Sequence, residues 1–503
     1  MEKQVALPWF VFWLKKVFPI TRKERKKVFL LLVLKFLISF VYCILTSLKD
    51  TILVTSNHSA AEVIPIVKGS LIFPISVAVL VLYTKLSNHL KQATLFYSTV
   101  LFFFTFVLLY GFVLYPNSGS VSPHATADFL SACTGGKHLH WIALFRHWIH
   151  VLFFIFAELW GQLVLMVLYW SFVNNVCNIY DAKRFYALFI AAGDVALIVT
   201  APLIVAYTKK YKHMGFLFTV QALLVYVALL CLLIIGTYTW ANCVVQPNTG
   251  GPNPSIPNKK LRLSLWASLK HVASSRYLMG LGTMMVACSL SINLVEGTWK
   301  SYLKETFSKS CDYQIFTSKI SFWTGVLALV TSLFFSGGIL RKLGWKATAR
   351  IAPITVGTMG CLFFFLSYTR TNLGLLSHGI SSNPVLYLVI FGGIQNVTAK
   401  VVKYTFYDKT TQMAYIPLDP ESKVKGKAAV DMLGSRLGKA GSSWIQIILL
   451  ELFHTNSIQP LSGVLFVFLL GTTILWYRAT YEVGQQLAVL EKTEADTLAS
   501  KTV

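Results

Sequence analysis

Apolar residues in this chain gather into long runs and do not alternate with polar ones: Val28–Leu45, Leu71–Tyr83, Leu95–Tyr115, Val151–Trp170, Gly215–Ile235 and Gly463–Trp476 are clear cases. Crossing a hydrocarbon core about 30 Å thick takes roughly 20 helical residues. A membrane barrel would instead show strands of about ten residues with alternating polarity. Reading with a window of about 19 residues and breaking at turn-rich stretches gives about twelve spans. Six end near Trp240, and six more run from about Leu278 to Ala479. Between them lies Gln246–Lys260, rich in Pro, Asn and Gly, which resists helix and suits a linker. The expectation is an all-α polytopic membrane protein with about 12 transmembrane helices in two six-helix halves. Its segments would be an N-terminal stretch over 1–27, one half over 28–240, a linker over 241–277, the second half over 278–480 and a tail over 481–503. Such a layout predicts two related halves around a midplane cavity. A short echo fits: Tyr83-Thr-Lys-Leu-Ser follows the second span and Leu340-Arg-Lys-Leu-Gly-Trp the eighth.

Composition agrees with a membrane solvent. Of 503 residues, 55% are hydrophobic and 13% charged, against about 25% charged in soluble domains. The net charge of +25 sits largely at span ends, as in Arg22, Lys23, Arg25, Lys26 and Lys27, and in Arg341, Lys342, Lys346 and Arg350. The N-terminal tail, the Lys183–Arg184 loop, the central loop and Lys409–Lys427 are basic, whereas Ser56–Ala60 and Asn117–His140 carry few basic residues. Both termini are therefore expected in the cytoplasm. With no folded basic domain, nucleic acid is not an expected partner. The eight scattered cysteines form no CxxC and suggest neither zinc nor a disulfide framework. Ala6–Leu14 lacks a following small-residue cleavage site and reads as an interfacial segment. No HExxH, GxSxG or dinucleotide-binding glycine fingerprint occurs. Gly434-Ser-Arg-Leu-Gly-Lys-Ala is one residue short of a phosphate-binding loop and lacks Ser or Thr after Lys. An enzyme, a cofactor and a metal are thus not expected.

Ionisable residues inside spans cost about 2.5–3.5 kcal/mol each to insert, and are kept where they face a wet cavity or a partner. Lys68 stands between Pro65 and Gly69 at the start of the second span, Glu158 deep in the fourth, Asp194 in the fifth and Glu296 toward the end of the seventh. Asp431, Arg436 and Lys439 fall in the eleventh, on a Gly- and Ser-rich helix. Each has a plain alternative: snorkelling for Lys68, and interhelical ion pairing for the others. A polyphosphate needs Lys or Arg as counter-charge, and neighbouring carboxylates would balance the empty pocket or take a proton.

Several segments together resemble the non-mitochondrial ATP/ADP translocases, the nucleotide transporters of plastids and of obligate intracellular bacteria such as chlamydiae and rickettsiae. They are Leu48-Lys-Asp-Thr-Ile-Leu-Val-Thr, Ala61-Glu-Val-Ile-Pro-Ile-Val-Lys, Tyr83-Thr-Lys-Leu-Ser-Asn, Ala157-Glu-Leu-Trp-Gly and Asp181-Ala-Lys-Arg-Phe-Tyr in the first half. In the second half they are Ser291-Ile-Asn-Leu-Val-Glu-Gly-Thr-Trp-Lys and, most specific, Met413-Ala-Tyr-Ile-Pro-Leu-Asp-Pro-Glu-Ser-Lys-Val-Lys-Gly-Lys-Ala-Ala. The resemblance covers nearly the whole chain in order. It implies a fold like the major facilitator transporters, alternating access, and functional charges at Lys68, Glu158, Glu296 and the Lys423, Lys425, Lys427 cluster. One departure is Gly193-Asp194-Val-Ala-Leu, where exchangers of the family usually carry Asn before Val-Ala-Leu. A titratable acid there tilts the expectation from ATP/ADP exchange toward proton-coupled import, with a silent hydrogen-bonding replacement as the alternative. The expectation is an importer of host ATP or other nucleoside triphosphates in a bacterial inner membrane, with protons or phosphate among the candidate co- or counter-substrates. The sequence leaves the oligomeric state open, a monomer being one option. Transport of another phosphorylated anion, or a non-transporting receptor or scaffold, are the other readings.

Overall fold

The structure is a computed structural model that describes residues 24–56, 61–177, 179–244, 270, 272–373, 384–418, 430 and 434–501. The described residues are helical with no strand, as a lipid solvent requires when every backbone group must be satisfied within its own segment. Eleven helices among them are long and apolar enough to cross a membrane. In chain order these include α1 (Arg25–Thr55), α2 (Val63–Ser87), α3 (Gln92–Leu114), α4 (Trp148–Val176), α5 (Arg184–Tyr211) and α6 (Phe216–Val244). The second half contributes α7 (Arg276–Thr306), α8 (Ser310–Phe335), α9 (Gly338–Arg370), α10 (Pro384–Ala414) and α12 (Gln459–Leu490). The twelfth, α11 (Ser435–Leu452), carries Arg436, Lys439 and Glu451, which dilute its apolar signal. It packs between α7 and the start of α2, so eleven helices meet the length and apolarity of a span and α11 stands beside them in the bundle, against the expected count of about twelve.

The echo between the halves takes a structural form. Tyr83-Thr-Lys-Leu-Ser is the helical end of α2, and the chain leaves helix only at Leu90. In the second half the break comes at Gly344, whose φ of 73° separates a short helical lead from the spanning part of α9. The interfacial Ala6–Leu14 segment and the Gln246–Lys260 linker lie outside the described residues.

The halves meet where α5 packs on α8 and α2 on α11. At Gly325 of α8 a Cβ would stand 3.2 Å from the Asp194 carbonyl oxygen, so a glycine is what allows α5 so close. One face of the bundle, carrying the α1–α2 and α7–α8 connections, is clasped shut. There an apolar cluster joins Leu53, Val54, Val63 and Phe154 of the first half to Leu294, Tyr302, Leu450 and Leu461 of the second. Polar contacts add to it. The hydroxyls of Thr55 and Ser310 are 2.7 Å apart. The buried Glu62 carboxylate accepts from Ser301 Oγ (3.0 Å), Ser457 Oγ (3.3 Å) and the Ile458 N–H (3.0 Å). Glu451 accepts from Trp141 Nε1 (2.8 Å) and lies 2.9 Å from His140 Nε2 and 2.6 Å from His138 Nδ1. Lys212 donates to Asp312 at 2.6 Å, which holds its ammonium above the ordinary lysine range.

Gly438, which gave the sequence its likeness to a phosphate-binding loop, has a packing role. It lies within a helix, and a Cβ there would strike the Val286 carbonyl of α7 and stand 2.7 Å from Ser289 Cβ. Close helix approach through small residues is a usual device in membranes. Gly438→Val is expected to cost about 1–3 kcal/mol by overpacking, read as a clear drop in melting temperature in detergent. An unchanged melting temperature would show that α7 and α11 do not rely on this contact.

A buried charge network as the candidate functional site

The clasp covers an unusual concentration of charge. Lys49 and Asp50 stand on α1 roughly 8 Å from its Thr55 end, and Glu158 lies about 15 Å into α4 from Trp148. Glu296 and Lys300 occupy one face of α7, four residues apart. Lys400 sits near the middle of α10. Helices α1, α4, α7 and α10 thus bring these groups together at the seam between the halves.

They are linked in one chain of ion pairs. Glu158 contacts Lys49 at 2.6 Å, and Lys49 contacts Asp50 at 3.4 Å. Asp50 takes Lys300 from the other half at 2.8 Å. Lys300 also meets Glu296 at 3.3 Å, and Glu296 meets Lys400 at 3.6 Å. The chain holds three carboxylates and three ammonium groups and is neutral. Lys49 is 3% exposed and Lys300 4%. Such pairs are tolerated at this depth because each charge has a partner, and Lys49 also lies 3.8 Å from the centre of the Phe154 ring.

Around the neutral chain cations are in surplus. Lys68 does not snorkel: its Nζ donates to Asn293 Oδ1 across the seam at 3.3 Å, within electrostatic reach of Glu296. It sits in a π-helical turn, Val67–Ile72, and another of the five such turns among the described residues, Gly161–Leu168, follows Glu158. Insertions of this kind re-aim side chains and cluster at functional sites. Lys439 and Arg436 on α11 lie within electrostatic reach of Glu158, and neither has a carboxylate partner among the described residues. Phosphate groups arriving here would find ammonium and guanidinium groups not fully committed to the protein's own acids.

Asp194 stands apart, nearer the opposite face. It lies within electrostatic reach of Lys35 on α1 and Lys409 on α10, so one lysine from each half attends it. Lys35 is buried and rests near the Tyr169 and Trp170 rings, 5.0 and 5.4 Å from their centres. Lys423, Lys425, Lys427 and Asp431 lie outside the described residues.

Of the residues singled out from the sequence, Lys68, Glu158 and Glu296 thus converge, Arg436 borders them, and Asp194 belongs to a separate group. Lys49, Asp50, Lys300 and Lys400 were not singled out. Three of them occur inside the quoted family segments, and the spacing of Glu296 and Lys300 was a usable signal, since residues four apart share a helix face. The described residues contain no His, Cys, Asp or Glu group with metal-binding geometry.

The family model for the TLC ATP/ADP transporter matches residues 6–487. ADP,ATP carrier protein 1 of Chlamydia muridarum is 35% identical over 494 residues, covering 97% of this chain and 93% of that protein. ADP,ATP carrier protein 1 of Rickettsia typhi is 35% identical over 491 residues, covering 95% of this chain and 96% of the relative. The chloroplastic ADP,ATP carrier protein 2 of Arabidopsis thaliana is 35% identical over 484 residues, or 95% and 77% of the two chains. A solved bacterial homolog of the human lysosomal transporter Spinster, inward-facing and unoccupied, aligns with a TM-score of 0.50 over 94% of this chain and 96% of its own. At 10% identity that likeness is one of fold.

Proposed function

The chain belongs to the TLC ATP/ADP transporter family, and from that premise we propose that it is a carrier that moves ATP across the membrane in exchange for ADP. The observation that carries this reading is the Asp50–Lys300 ion pair, which joins the halves inside a charge network surrounded by surplus cations. An empty carrier keeps that pair made and the clasped face shut. A polyphosphate offers Lys300 a better anionic partner than Asp50 does, and drawing Lys300 away removes one tie between the halves. Only a ligand with different affinity for the two states can shift their balance, and the phosphates have that property here. The same logic explains obligatory exchange, because without nucleotide the ion pair re-forms and resists the return stroke. Lys68, Arg436 and Lys439 supply counter-charge for the phosphates, while Glu158 and Glu296 hold Lys49, Lys300 and Lys400 in place between turnovers. The Lys423, Lys425, Lys427 cluster is proposed to attract nucleotide by its positive charge.

The proposed setting is the inner membrane of an intracellular bacterium, with both termini cytoplasmic and the clasped face turned outward. Arg25, Lys26, Lys27, Arg341 and Lys342 on the opposite face support this orientation. The bias is incomplete, since Lys209, Lys210 and Lys212 lie on the clasped face.

A second reading, proton-coupled import, is favoured by Asp194, a carboxylate between lysines of the two halves. The test is uptake of labelled ATP, GTP, CTP and UTP by cells expressing the protein, with and without an uncoupler, followed by an unlabelled ADP chase. Exchange predicts uptake that survives the uncoupler and rapid efflux on the chase, with Asp194→Asn changing rates by less than about threefold. Uptake abolished by the uncoupler, together with loss of pH dependence in Asp194→Asn, would replace exchange with proton coupling. No uptake of any nucleotide would overturn both.

A further inference from the structure

Beside the network, between α2, α7 and α11, a small cavity is lined by Lys68, Asn293, Glu296, Lys300, Ser443 and Gln446. Gln446 is 2% exposed, and its Oε1 has no hydrogen-bond partner. The carboxamide faces α7 at Gly297, where a Cβ would stand 2.7 Å from Oε1 and 3.1 Å from Nε2. The α7 backbone therefore leaves room for this side chain to reach the cavity. The hydrogen bonds made by donors in the cavity wall go elsewhere. Asn293 Nδ2 donates to the Ser289 carbonyl at 2.8 Å, Lys68 donates to Asn293 Oδ1, Ser443 Oγ donates to the Lys439 carbonyl at 3.0 Å, and Lys300 holds Asp50. A buried acceptor without a partner is rare in folded proteins and calls for an explanation.

We propose that Gln446 accepts a hydrogen bond from a ribose hydroxyl of the transported nucleotide, which makes it a specificity-determining residue for the sugar. This rests on the transport reading above. Phosphate oxygens are acceptors and cannot satisfy a carbonyl oxygen. A nucleotide's donors are its ribose hydroxyls and, on the bases, an exocyclic amine or a ring N–H. Two ammonium groups in the same wall fix the phosphates close by, and the ribose is the donor-bearing part nearest the phosphates. Glu296, also an acceptor, lies in the same wall and suits a diol. Sites that hydrogen-bond a hydroxyl discriminate against analogues that lack it, because the buried partner is then left unpaired.

The experiment is competition by unlabelled ATP, 2′-deoxy-ATP and 3′-deoxy-ATP against labelled ATP uptake in cells expressing the full chain or Gln446→Leu. One neutral hydrogen bond is worth about 3–10-fold. The unaltered protein is expected to prefer ATP to at least one deoxy analogue by that factor. In Gln446→Leu the preference is expected to shrink to within about twofold, through weaker ATP competition and unchanged competition by that analogue. The ratio does not depend on protein amount, and Gln446→Asn, which withdraws the carbonyl by one methylene, gives the same reading if the leucine variant fails to reach the membrane. Equal weakening of all three nucleotides would mean a purely structural role and overturn the proposal, as would a ratio unchanged in either variant. Uptake by the unaltered protein without sugar discrimination overturns the proposal alone, whereas no uptake at all overturns the transport reading with it.

Discussion

Lys300→Ala is expected to lower ATP uptake by about 100-fold or more, with Lys300→Arg retaining a measurable fraction. Lys300 is the group that touches acids of both halves, at 2.8 Å to Asp50 and 3.3 Å to Glu296. Removing one partner of a buried pair leaves an uncompensated charge and costs about 3–5 kcal/mol. Each 1.4 kcal/mol is a factor of ten, so a two-decade loss is the lower end of that range. Part of the loss reflects the missing counter-charge for phosphate and part the missing tie between halves, and Asp50→Asn separates them. It keeps every cation but replaces a charge-assisted bond worth about 1.5–3 kcal/mol. The nucleotide should still bind, while the return of the empty carrier becomes easier. Cells depleted of internal nucleotide and carrying Asp50→Asn should therefore take up labelled nucleotide without a counter-substrate roughly tenfold faster than cells with the unaltered protein. Uptake that stays fully dependent on internal ADP would show that Asp50–Lys300 does not enforce exchange.

How much of this was legible in the sequence depends on depth in the membrane. The helices were readable because lipid leaves the backbone no other economical arrangement. The weakest signal was α11, whose Arg436, Lys439 and Glu451 interrupt its apolar run. Lys68, Glu158 and Glu296 stood out by insertion cost and do converge. Lys49, Asp50 and Lys300 did not stand out, because charges a few residues from a span end read as headgroup contacts. Only the packing of α1 against α4 and the approach of α7 turn them inward. Gln446 gave no signal, since an uncharged amide in a polar-striped helix is unremarkable until its partners are counted. Asp194 was found for its chemistry, and the fold then separated it from the others by setting α5 against α8 nearer the opposite face.

Oxidative cross-linking of a Thr55→Cys, Ser310→Cys variant is expected to abolish transport, and reduction with dithiothreitol to restore it. The two hydroxyls lie 2.7 Å apart at the ends of α1 and α8, one in each half. Such contact leaves the two Cβ atoms within reach of a disulfide, which needs them roughly 4 Å apart. The adjacent Cys311 should be replaced by Ala in the background so that it does not compete, and each single-cysteine variant serves as a control. The bond would fasten the clasped face beside the apolar cluster of Leu53, Val63, Leu294 and Tyr302. Alternating access requires that face to open once per cycle, which means parting this cluster together with the Glu62 and Glu451 contacts. A covalent tie adds to them a barrier that nucleotide binding cannot overcome. Nucleotide binding itself should survive in the cross-linked protein, because Lys49 and Asp50 lie roughly 8 Å along α1 from the cross-linked end. Full uptake after complete cross-linking would place the moving parts elsewhere and remove the rocking of the two halves from the mechanism.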